Sequence, residues 1–302
     1  MIVYNTMIIY YGINGNCINV TNICMEKLTN ENMIIIPSND HTRALFFTDP
    51  LNGVHKFIII DNNGIITEYD EYTEVRINLI NNEITALNFN EIETKLNKIH
   101  KSLKIKHGSL NEEVPEQKMA LRYLTGCEKV LEIGGNIGRN SLLIASILNN
   151  SRNLVTLECD SNIANQLAEN RMINNLHFNI ECSALSNRKL IQLGWDTIPS
   201  NVLLPGYHWV NTITLNDLKN KYNIEFDTLV LDCEGAFYYI LMDMPELLNG
   251  INLIIMENDY HDINKKIYVD KILKDNNFYR DYFESGGWGP CYNNFFEVWK
   301  RI

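Results

Sequence analysis

Strand-like and helix-like segments alternate along the second half of the chain. Short apolar runs end in polar or acidic residues, and amphipathic stretches follow them. The strand-like runs are residues 130–133, 154–157, 178–181, 226–231, 251–256, 278–283 and 295–299. Alternation of strand and helix predicts a parallel sheet with right-handed crossovers, and the last two runs, separated by a glycine-rich turn, predict an antiparallel hairpin. The pattern therefore predicts an α/β fold with a seven-stranded sheet.

The first ninety residues show a different pattern, in which turn residues separate short strand-like runs. The Asn-Asn-Gly sequence at 62–64 lies between two such runs, and these residues accept the positive φ of a tight hairpin turn. Asn-Asn at 81–82 predicts a second hairpin. Residues 1–90 are therefore predicted to form a small β-rich accessory domain, which would assist folding, form a homodimer or bind a glycan.

A helix and a polar linker are predicted to follow this domain. Apolar residues recur at spacings of four, three and four over 92–103, which places them on one face of a helix. Pro115 suits the first turn of the next helix. The chain thus divides into an accessory domain at 1–90, a connecting helix and linker at 91–114, and a larger domain at 115–302.

The glycine-rich segment at 134–138 joins the first strand-like run of the larger domain to a helix. Gly134 and Gly138 can adopt positive φ and allow the main chain to approach a ligand, while the helix start offers N–H groups. The spacing is not the G-x-G-x-x-G of a dinucleotide site. We interpret the segment as a nucleotide-cofactor loop; a tight turn without a ligand is the alternative.

Acidic residues follow the later strand-like runs. Glu158 ends the second run, where a carboxylate can accept two hydrogen bonds from the vicinal diol of a ribose. The fourth run ends in the sequence D-C-E-G at 232–235, and Glu257 ends the fifth. Because the carboxyl ends of parallel strands meet at one edge, we expect Glu132, Glu158 and Asp232 to gather at a single mouth.

These motifs together resemble the FkbM-type family of S-adenosylmethionine (SAM) methyltransferases, which belong to the Rossmann-like class I. The resemblance rests on E-x-G-x-N-x-G at 132–138, on Glu158 and on D-x-E-G at 232–235, and it covers residues 115–302. Val230 replaces the lysine that is usual in the family. The chain is similar in particular to members encoded by large DNA viruses.

The resemblance implies SAM as the cofactor and an O-methyltransferase activity. The cofactor-binding residues that it implies are Glu132, Gly134, Gly135, Asn136, Gly138, Glu158, Cys159, Ser183, Ala184, Asp232 and Glu234. Gln117, ahead of the first strand, is a further candidate for contact with the methionine end of SAM.

Transfer of a methyl group to a sugar hydroxyl benefits from a nearby base, because the neutral hydroxyl is a poor nucleophile. Asp232 is the first candidate, His261 the second and Glu257 the third. No metal is expected, although Asp232, Glu257 and Asn258 could instead hold Mg²⁺ against a diol, since oxygen ligands suit this ion.

The aromatic interval at 193–210 is predicted to be an irregular lid over the acceptor, because sugar rings pack their apolar faces on aromatic side chains. Ordinary core packing is an equally open interpretation. The substrate residues expected are Trp195, Tyr207, His208, Trp209 and, from a later loop, Asp259.

Composition narrows the choice of partners. The net charge of −11 and the pI near 5.1 disfavour a protein that grips long nucleic acid, because such binding needs many Lys and Arg contacts to phosphate. No leader and no apolar run of membrane-spanning length is recognised, so we expect a cytoplasmic protein, in the host cytoplasm if it is viral. The seven cysteines show no paired spacing and are expected to be reduced thiols.

The preferred function is therefore SAM-dependent methylation of a hydroxyl on a nucleotide-sugar or a glycan. Methylation of RNA at a ribose or cap 2′-hydroxyl is one alternative, which the acidic charge and Val230 disfavour. The other is a binding protein that keeps the SAM fold without turnover.

Overall fold

The computed structural model describes residues 7–302 and divides the chain into two compact units. The first unit ends at Thr94 and the second is Lys95–Ile302. The division falls within helix α3 (Phe89–Ser102), which confirms the helix predicted from the apolar spacing. Ile92 and Leu96 of its apolar face are buried.

The first unit contains two four-stranded antiparallel sheets and two short helices. One sheet has the strand order β2-β1-β5-β6 and the other β3-β4-β7-β8. Its strands are β1 (Met7–Ile13), β2 (Asn16–Asn19), β3 (Thr29–Asn30), β4 (Met33–Ile36), β5 (Phe57–Asn62), β6 (Ile65–Tyr69), β7 (Thr73–Asn78) and β8 (Ile84–Asn88). Its helices are α1 (Thr21–Lys27) and α2 (Asp40–Phe47), which the sequence pattern did not predict.

Both predicted hairpins of this unit are confirmed. Asn63 and Gly64 have φ of 55° and 87° and connect β5 to β6. The turn at 81–82 connects β7 to β8. Apolar side chains of both sheets, among them Ile58 and Ile77, form the buried core of the unit.

The second unit is an α/β domain built on a mixed seven-stranded sheet. Its helices are α4 (Val114–Tyr123), α5 (Arg139–Ile147), α6 (Ser161–Ile173), α7 (Leu215–Tyr222), α8 (Phe237–Asp243) and α9 (Ile263–Asp275), with 3₁₀ turns at Ser151–Asn153, Pro245–Leu248 and Gly289–Asn294. The sheet strands are β9 (Val130–Ile133), β10 (Leu154–Leu157), β11 (Asn179–Glu181), β17 (Thr228–Leu231), β18 (Leu253–Glu257), β19 (Phe278–Glu284) and β20 (Phe296–Arg301).

The strand order is β11-β10-β9-β17-β18-β20-β19. The first five strands are parallel, and β20 runs antiparallel between β18 and β19. The predicted seven strands and final antiparallel hairpin are confirmed, and the sheet is Rossmann-like. It is buried on both faces because helices cover it, as the uninterrupted apolar runs require.

The expectation of an irregular lid at 193–210 is wrong for part of this interval. A small antiparallel sheet of order β14-β13-β15 occupies it, with β13 (Leu190–Leu193), β14 (Asp196–Pro199) and β15 (His208–Val210). The short strands β12 (Ala184–Leu185) and β16 (Thr212–Ile213) pair beside it. Main-chain pairing of β13 with both β14 and β15 orders the segment, and the aromatic content of the sequence does not reveal this pairing.

The parallel strands end at one height. Ile133 pairs in register with Leu157 on one side and with Leu231 on the other. Leu157 in turn pairs with Glu181, and Leu231 pairs with Met256. The residues that come next in each strand form a continuous row across five strands, and they are Cys182, Glu158, Gly134, Asp232 and Glu257. No helix among residues 7–302 has the length and apolar character needed to cross a membrane.

Candidate functional site

The glycine loop lies directly against the neighbouring strand ends. Gly134 and Gly138 both have φ of +94°, as the sequence predicts. A Cβ on Gly134 would lie 1.6 Å from the carbonyl oxygen of Asp232, and one on Gly135 would lie 2.2 Å from Oγ1 of Thr156. Only glycine fits this packing, which holds the loop at the mouth of the sheet.

Glu158 binds the loop from the end of β10. Its Oε2 accepts a hydrogen bond of 2.9 Å from the main-chain N–H of Asn136, and its Oε1 accepts one of 2.8 Å from that of Asp160. Burial raises the pKa of the Glu158 carboxyl, and these two N–H donors partly offset the shift. Each carboxylate oxygen keeps a second lone pair, so the group can also bind a diol.

The expectation that Glu132 lies with Glu158 and Asp232 at the mouth of the sheet is wrong. Its Oε2 accepts a hydrogen bond from the hydroxyl of Ser141 on α5, and the residue is 2% exposed. Burial raises the pKa of the Glu132 carboxyl from 4.5 to about 7. The side chain of a strand residue points to one face of the sheet, and here that face is the one covered by α5, beneath the loop.

A cavity of about 440 Å³ opens at the row of strand ends. It is lined by eleven residues that the sequence singles out: Gly134, Asn136, Glu158, Cys159, Ser183, Ala184, Trp195, Asp232, Glu234, Glu257 and Asp259. The other lining residues include Glu113, Glu116, Arg139, Leu185, Leu190, Gln192, Thr197 and Trp288. All of them belong to the second unit.

The lining of this cavity is strongly acidic. Seven carboxyl groups face it, those of Glu113, Glu116, Glu158, Asp232, Glu234, Glu257 and Asp259, against one basic residue, Arg139. Arg139 is already engaged, since its NH1 donates to Oε1 of Glu113 at 2.6 Å and its NH2 pairs with Glu112. The cavity therefore favours a cationic ligand over an anionic one.

Three of these acids lie together at the ends of β17 and β18. Asp232, Glu257 and Asp259 each place one carboxylate oxygen within 4.8 Å of the other two. Burial, followed by the charge of Asp259, holds the pKa of Asp232 well above its ordinary value. Burial and the neighbouring Glu116 raise the pKa of Glu257, and burial raises that of Asp259 from 3.8 to about 7.

The opposite end of the cavity is more apolar. Ser183, Ala184, Leu185, Leu190 and Thr197 line it, together with Gln192. The Gln192 side chain is 5% exposed, and its Oε1 receives no hydrogen bond from any described residue. A buried acceptor that faces a cavity without a donor suits a ligand that brings an N–H group.

Several expected site residues lie outside the lining of this cavity. Gly135 and Gly138 belong to the side of the loop that packs against the interior, where a Cβ on Gly138 would meet Leu167 at 2.2 Å. His208 and Trp209 line a neighbouring cavity of about 340 Å³ that shares Cys159 with the first, because β15 lies beyond β13 in the small sheet.

Two more expected substrate or catalytic residues lie away from the cavity. The N–H of Tyr207 donates to the carbonyl oxygen of Leu204 in the turn before β15, away from the lining. His261 is exposed and is not among the lining residues, although its ring lies 4.3 Å from that of Trp288, measured between centroids, and its charge partly offsets the rise that burial causes in the pKa of the nearby lining residue Glu234.

The expectation for Gln117 is wrong in its geometry, and Asn258 is not among the lining residues of the cavity. Gln117 is fully buried, with Nε2 donating to the carbonyl oxygens of Leu110 and Glu112 and Oε1 bonded to His100. Glu113 and Glu116, close by in sequence, face the cavity instead. Asn258 donates from Nδ2 to the carbonyl oxygen of Asn294 and does not line the cavity, whereas Asp259 does.

Sequence reasoning missed Glu113, Glu116, Gln192 and Trp288. Acidic residues at the start of a helix are common because they complement the helix dipole, so Glu113, which precedes α4, and Glu116, in its first turn, gave no separate signal. Gln192 and Trp288 reach the cavity through the folding of segments that show no motif. The seven cysteines are free thiols, as expected.

Comparison with known proteins gives likeness in fold alone. No family model and no curated protein matches the sequence. An O-methyltransferase from Bacillus cereus in complex with SAH is 15% identical, and the match covers 70% of this chain and 91% of that one with a TM-score of 0.41. The O-methyltransferase TomG from Streptomyces achromogenes, in complex with SAM, is 13% identical over 70% of this chain and 90% of its own, with a TM-score of 0.39.

A ribosomal protein L11 methylase from Lactobacillus delbrueckii subsp. bulgaricus also matches. It is 11% identical over 62% of this chain and 78% of its own, with a TM-score of 0.41. Likenesses at this level decide neither the activity nor the substrate of the chain. Those are inferred below from the residues of the cavity.

Proposed function

We propose that this chain is a SAM-dependent O-methyltransferase that acts on a hydroxyl group of a sugar. The observation that carries the proposal is the row of strand ends, which brings the glycine loop, Glu158 and Asp232 to one cavity. Its motifs also support membership of the FkbM-type family. The ends of parallel strands are where nucleotide-derived cofactors bind in such sheets.

The charge of the cavity favours SAM over a dinucleotide. A pyrophosphate would meet seven carboxyl groups and one arginine that is already paired. SAM, in contrast, carries a net positive charge and supplies an electrophilic methyl group on a positively charged sulfur. Carboxylates around that end stabilise the bound cation and raise its association rate.

The chain offers partners for the ribose and the adenine of this cofactor. Glu158 would accept hydrogen bonds from the ribose hydroxyls, and Gln192 Oε1 would accept one from the adenine amino group. Cys159, Ser183 and Ala184 would form the wall around the adenosine. Glu132, Gly135 and Gly138 would act indirectly: Glu132 binds Ser141 beneath the loop, and the two glycines let the loop pack closely on the interior.

The acidic end of the cavity would receive the acceptor. Asp232 remains the first candidate for the base: it would take the proton of the hydroxyl as the new O–CH₃ bond forms and the bond from sulfur to the methyl carbon breaks. Such a base contributes about 100-fold to 10,000-fold to a rate. Trp195 and Trp288, which line the cavity, offer apolar faces for a sugar ring.

The same charges favour a glycan over a nucleotide-sugar as the acceptor. A diphosphate next to this cavity would find only Arg139 among the lining residues, and that side chain already pairs with two glutamates. RNA, with a phosphate at every nucleotide, is disfavoured for the same reason. We further propose that the protein acts without nucleic acid or membrane partners and that its first unit serves an accessory role, such as homodimer formation.

Incubation with SAM labelled on the methyl group tests the proposal directly. The protein is offered neutral oligosaccharides, nucleotide-sugars and RNA in parallel, and label should pass to the oligosaccharides. Asp232→Asn should abolish transfer while S-adenosylhomocysteine (SAH) still binds in calorimetry. Absence of SAH binding to the unsubstituted protein would refute the cofactor assignment, and transfer to RNA would refute the acceptor assignment.

A further inference from the structure

The acidic end of the cavity contains carboxyl groups that no basic side chain of the described residues pairs with. Asp232, Glu257 and Asp259 place their carboxylate oxygens within 4.8 Å of one another. Among residues 7–302, no Lys, Arg or His forms an ion pair with any of the three. Carboxylates packed this closely repel one another unless a cation or a proton lies between them.

A fourth carboxyl group points to a missing ligand. Glu116 lines the same cavity and is 7% exposed, and its buried Oε2 receives no hydrogen bond from any donor in the described chain. Glu116 is a direct neighbour of Glu257 and helps to raise the pKa of that carboxyl, so α4 brings it to the same cluster. Buried charged groups in proteins are usually paired or coordinate a metal.

We propose that Asp232, Glu257 and Asp259 bind an oxygen-coordinated divalent cation, with Glu116 as a fourth carboxyl group beside it. The ligand set is all oxygen, which suits Mg²⁺, Mn²⁺ or Ca²⁺ rather than the metals that prefer nitrogen or sulfur.

The spacing of the oxygens is compatible with such an ion. Two oxygens on one Ca²⁺, each bound at about 2.4 Å, lie at most about 5 Å apart, and the cluster satisfies this limit. For Mg²⁺, with bonds of about 2.1 Å, the limit is about 4.2 Å, so the carboxylates would draw slightly closer. Water or hydroxyl oxygens of another molecule would complete the coordination.

The role of this cation rests on the proposed function. An ion between Asp232 and Glu257 would hold hydroxyl oxygens of the acceptor and make them more acidic. Asp232 has two oxygens, so it can coordinate the ion with one and accept the hydroxyl proton with the other. The acidic end of the cavity would thus bind and activate the acceptor, whereas the other end would bind the cofactor.

Titration with Mn²⁺ alone, followed by electron paramagnetic resonance, tests the site in the full chain. We expect one strongly bound Mn²⁺ per chain that Ca²⁺ and Mg²⁺ displace. Asp259→Asn and Glu257→Gln should each weaken binding by at least about tenfold. Glu158→Gln is the matched control, because it removes one charge from the other end of the same cavity and should change Mn²⁺ affinity by less than about threefold.

Two results would overturn the inference. One is the absence of a stoichiometric Mn²⁺ site; the other is equal weakening by Glu158→Gln and Asp259→Asn, which would mean diffuse attraction to an acidic cavity. Fe²⁺ with ascorbate and peroxide gives a test that needs no variant, since the bound metal cleaves nearby main chain. Cleavage should fall near residues 116, 232 and 257–259, and cleavage elsewhere alone would contradict the proposal.

Calorimetry with SAH separates this inference from the proposed function. Binding of SAH without Mn²⁺ binding would leave the cofactor assignment intact and refute the metal site. Binding of Mn²⁺ without SAH would do the reverse, because the metal titration contains no cofactor.

Discussion

The carboxylate of Glu158 accepts the main-chain N–H of Asn136 at 2.9 Å, so the second strand of the α/β unit directly holds the glycine loop of the first. The same side chain is therefore both a support for the loop and a ligand group at the cavity. Substitutions at this position should affect cofactor binding more than folding, because an amide oxygen can still accept the Asn136 hydrogen bond.

Glu158→Gln should lower the affinity for SAH by about 10-fold to 100-fold. The variant loses the charge that strengthens hydrogen bonds to the ribose hydroxyls, and such bonds contribute about 1.5–3 kcal/mol. Calorimetric titration with SAH measures the change. Glu169→Gln, on the surface of α6, is the control and should leave the affinity unchanged; an equal loss there would contradict a specific role for Glu158.

Gln192→Leu should abolish the ability of the protein to distinguish adenine from other purines in the cofactor. SAH should bind about tenfold more weakly to the variant, and the preference for SAH over its inosine analogue, which lacks the amino group, should disappear. The variant without ligand should be at least as stable as the parent, since the unpaired Oε1 is lost. An unchanged preference would place the adenine elsewhere.

Gly134→Ala should destabilise the second unit by more than about 2 kcal/mol, because its Cβ would lie 1.6 Å from the carbonyl oxygen of Asp232. Gly194→Ala is the matched control: its φ is +59°, yet a Cβ there meets nothing within 4 Å. It should cost only about 1 kcal/mol of backbone strain. Urea unfolding followed by tryptophan fluorescence reports on this unit, since all four tryptophans lie within it.

Glu132→Gln should change the pH dependence of stability. The folded state raises the pKa of Glu132 from 4.5 to about 7, so it binds the proton more tightly than the unfolded chain does. The free energy of unfolding is therefore highest below pH 4.5, falls as the pH rises from 4.5 to 7, and is constant above that range as far as this group is concerned.

The glutamine variant lacks this dependence. The free energy of unfolding of the variant should match that of the parent near pH 4 and exceed it by about 3 kcal/mol at pH 8, where the parent carries a buried charge. Urea unfolding at several pH values measures the difference. Glu225→Gln, at an exposed position, should give a small and nearly constant difference, and the same behaviour for Glu132→Gln would refute a buried, proton-binding carboxyl.

The sequence predicts the sheet and the loop well because both depend on local pattern. The apolar runs and the glycine spacing determine strand and turn geometry at Gly134 and at the end of β10 without reference to distant residues. Glu132 was misplaced because the residue order does not say which face of the sheet a side chain near a strand end takes. Glu116 and Gln192 were missed because only tertiary packing brings α4 and β13 to the cavity.

The five parallel strands end at one height, and this restricts where the sequence can gain or lose residues during evolution. Loss or gain of one residue inside β17 would turn Asp232 to the opposite face of the sheet, since side chains alternate along a strand. Insertions and deletions are therefore tolerated only in the loops that follow the strand ends. Homologous proteins would acquire new acceptors through longer loops after the parallel strands, while the strands themselves would keep their number of residues.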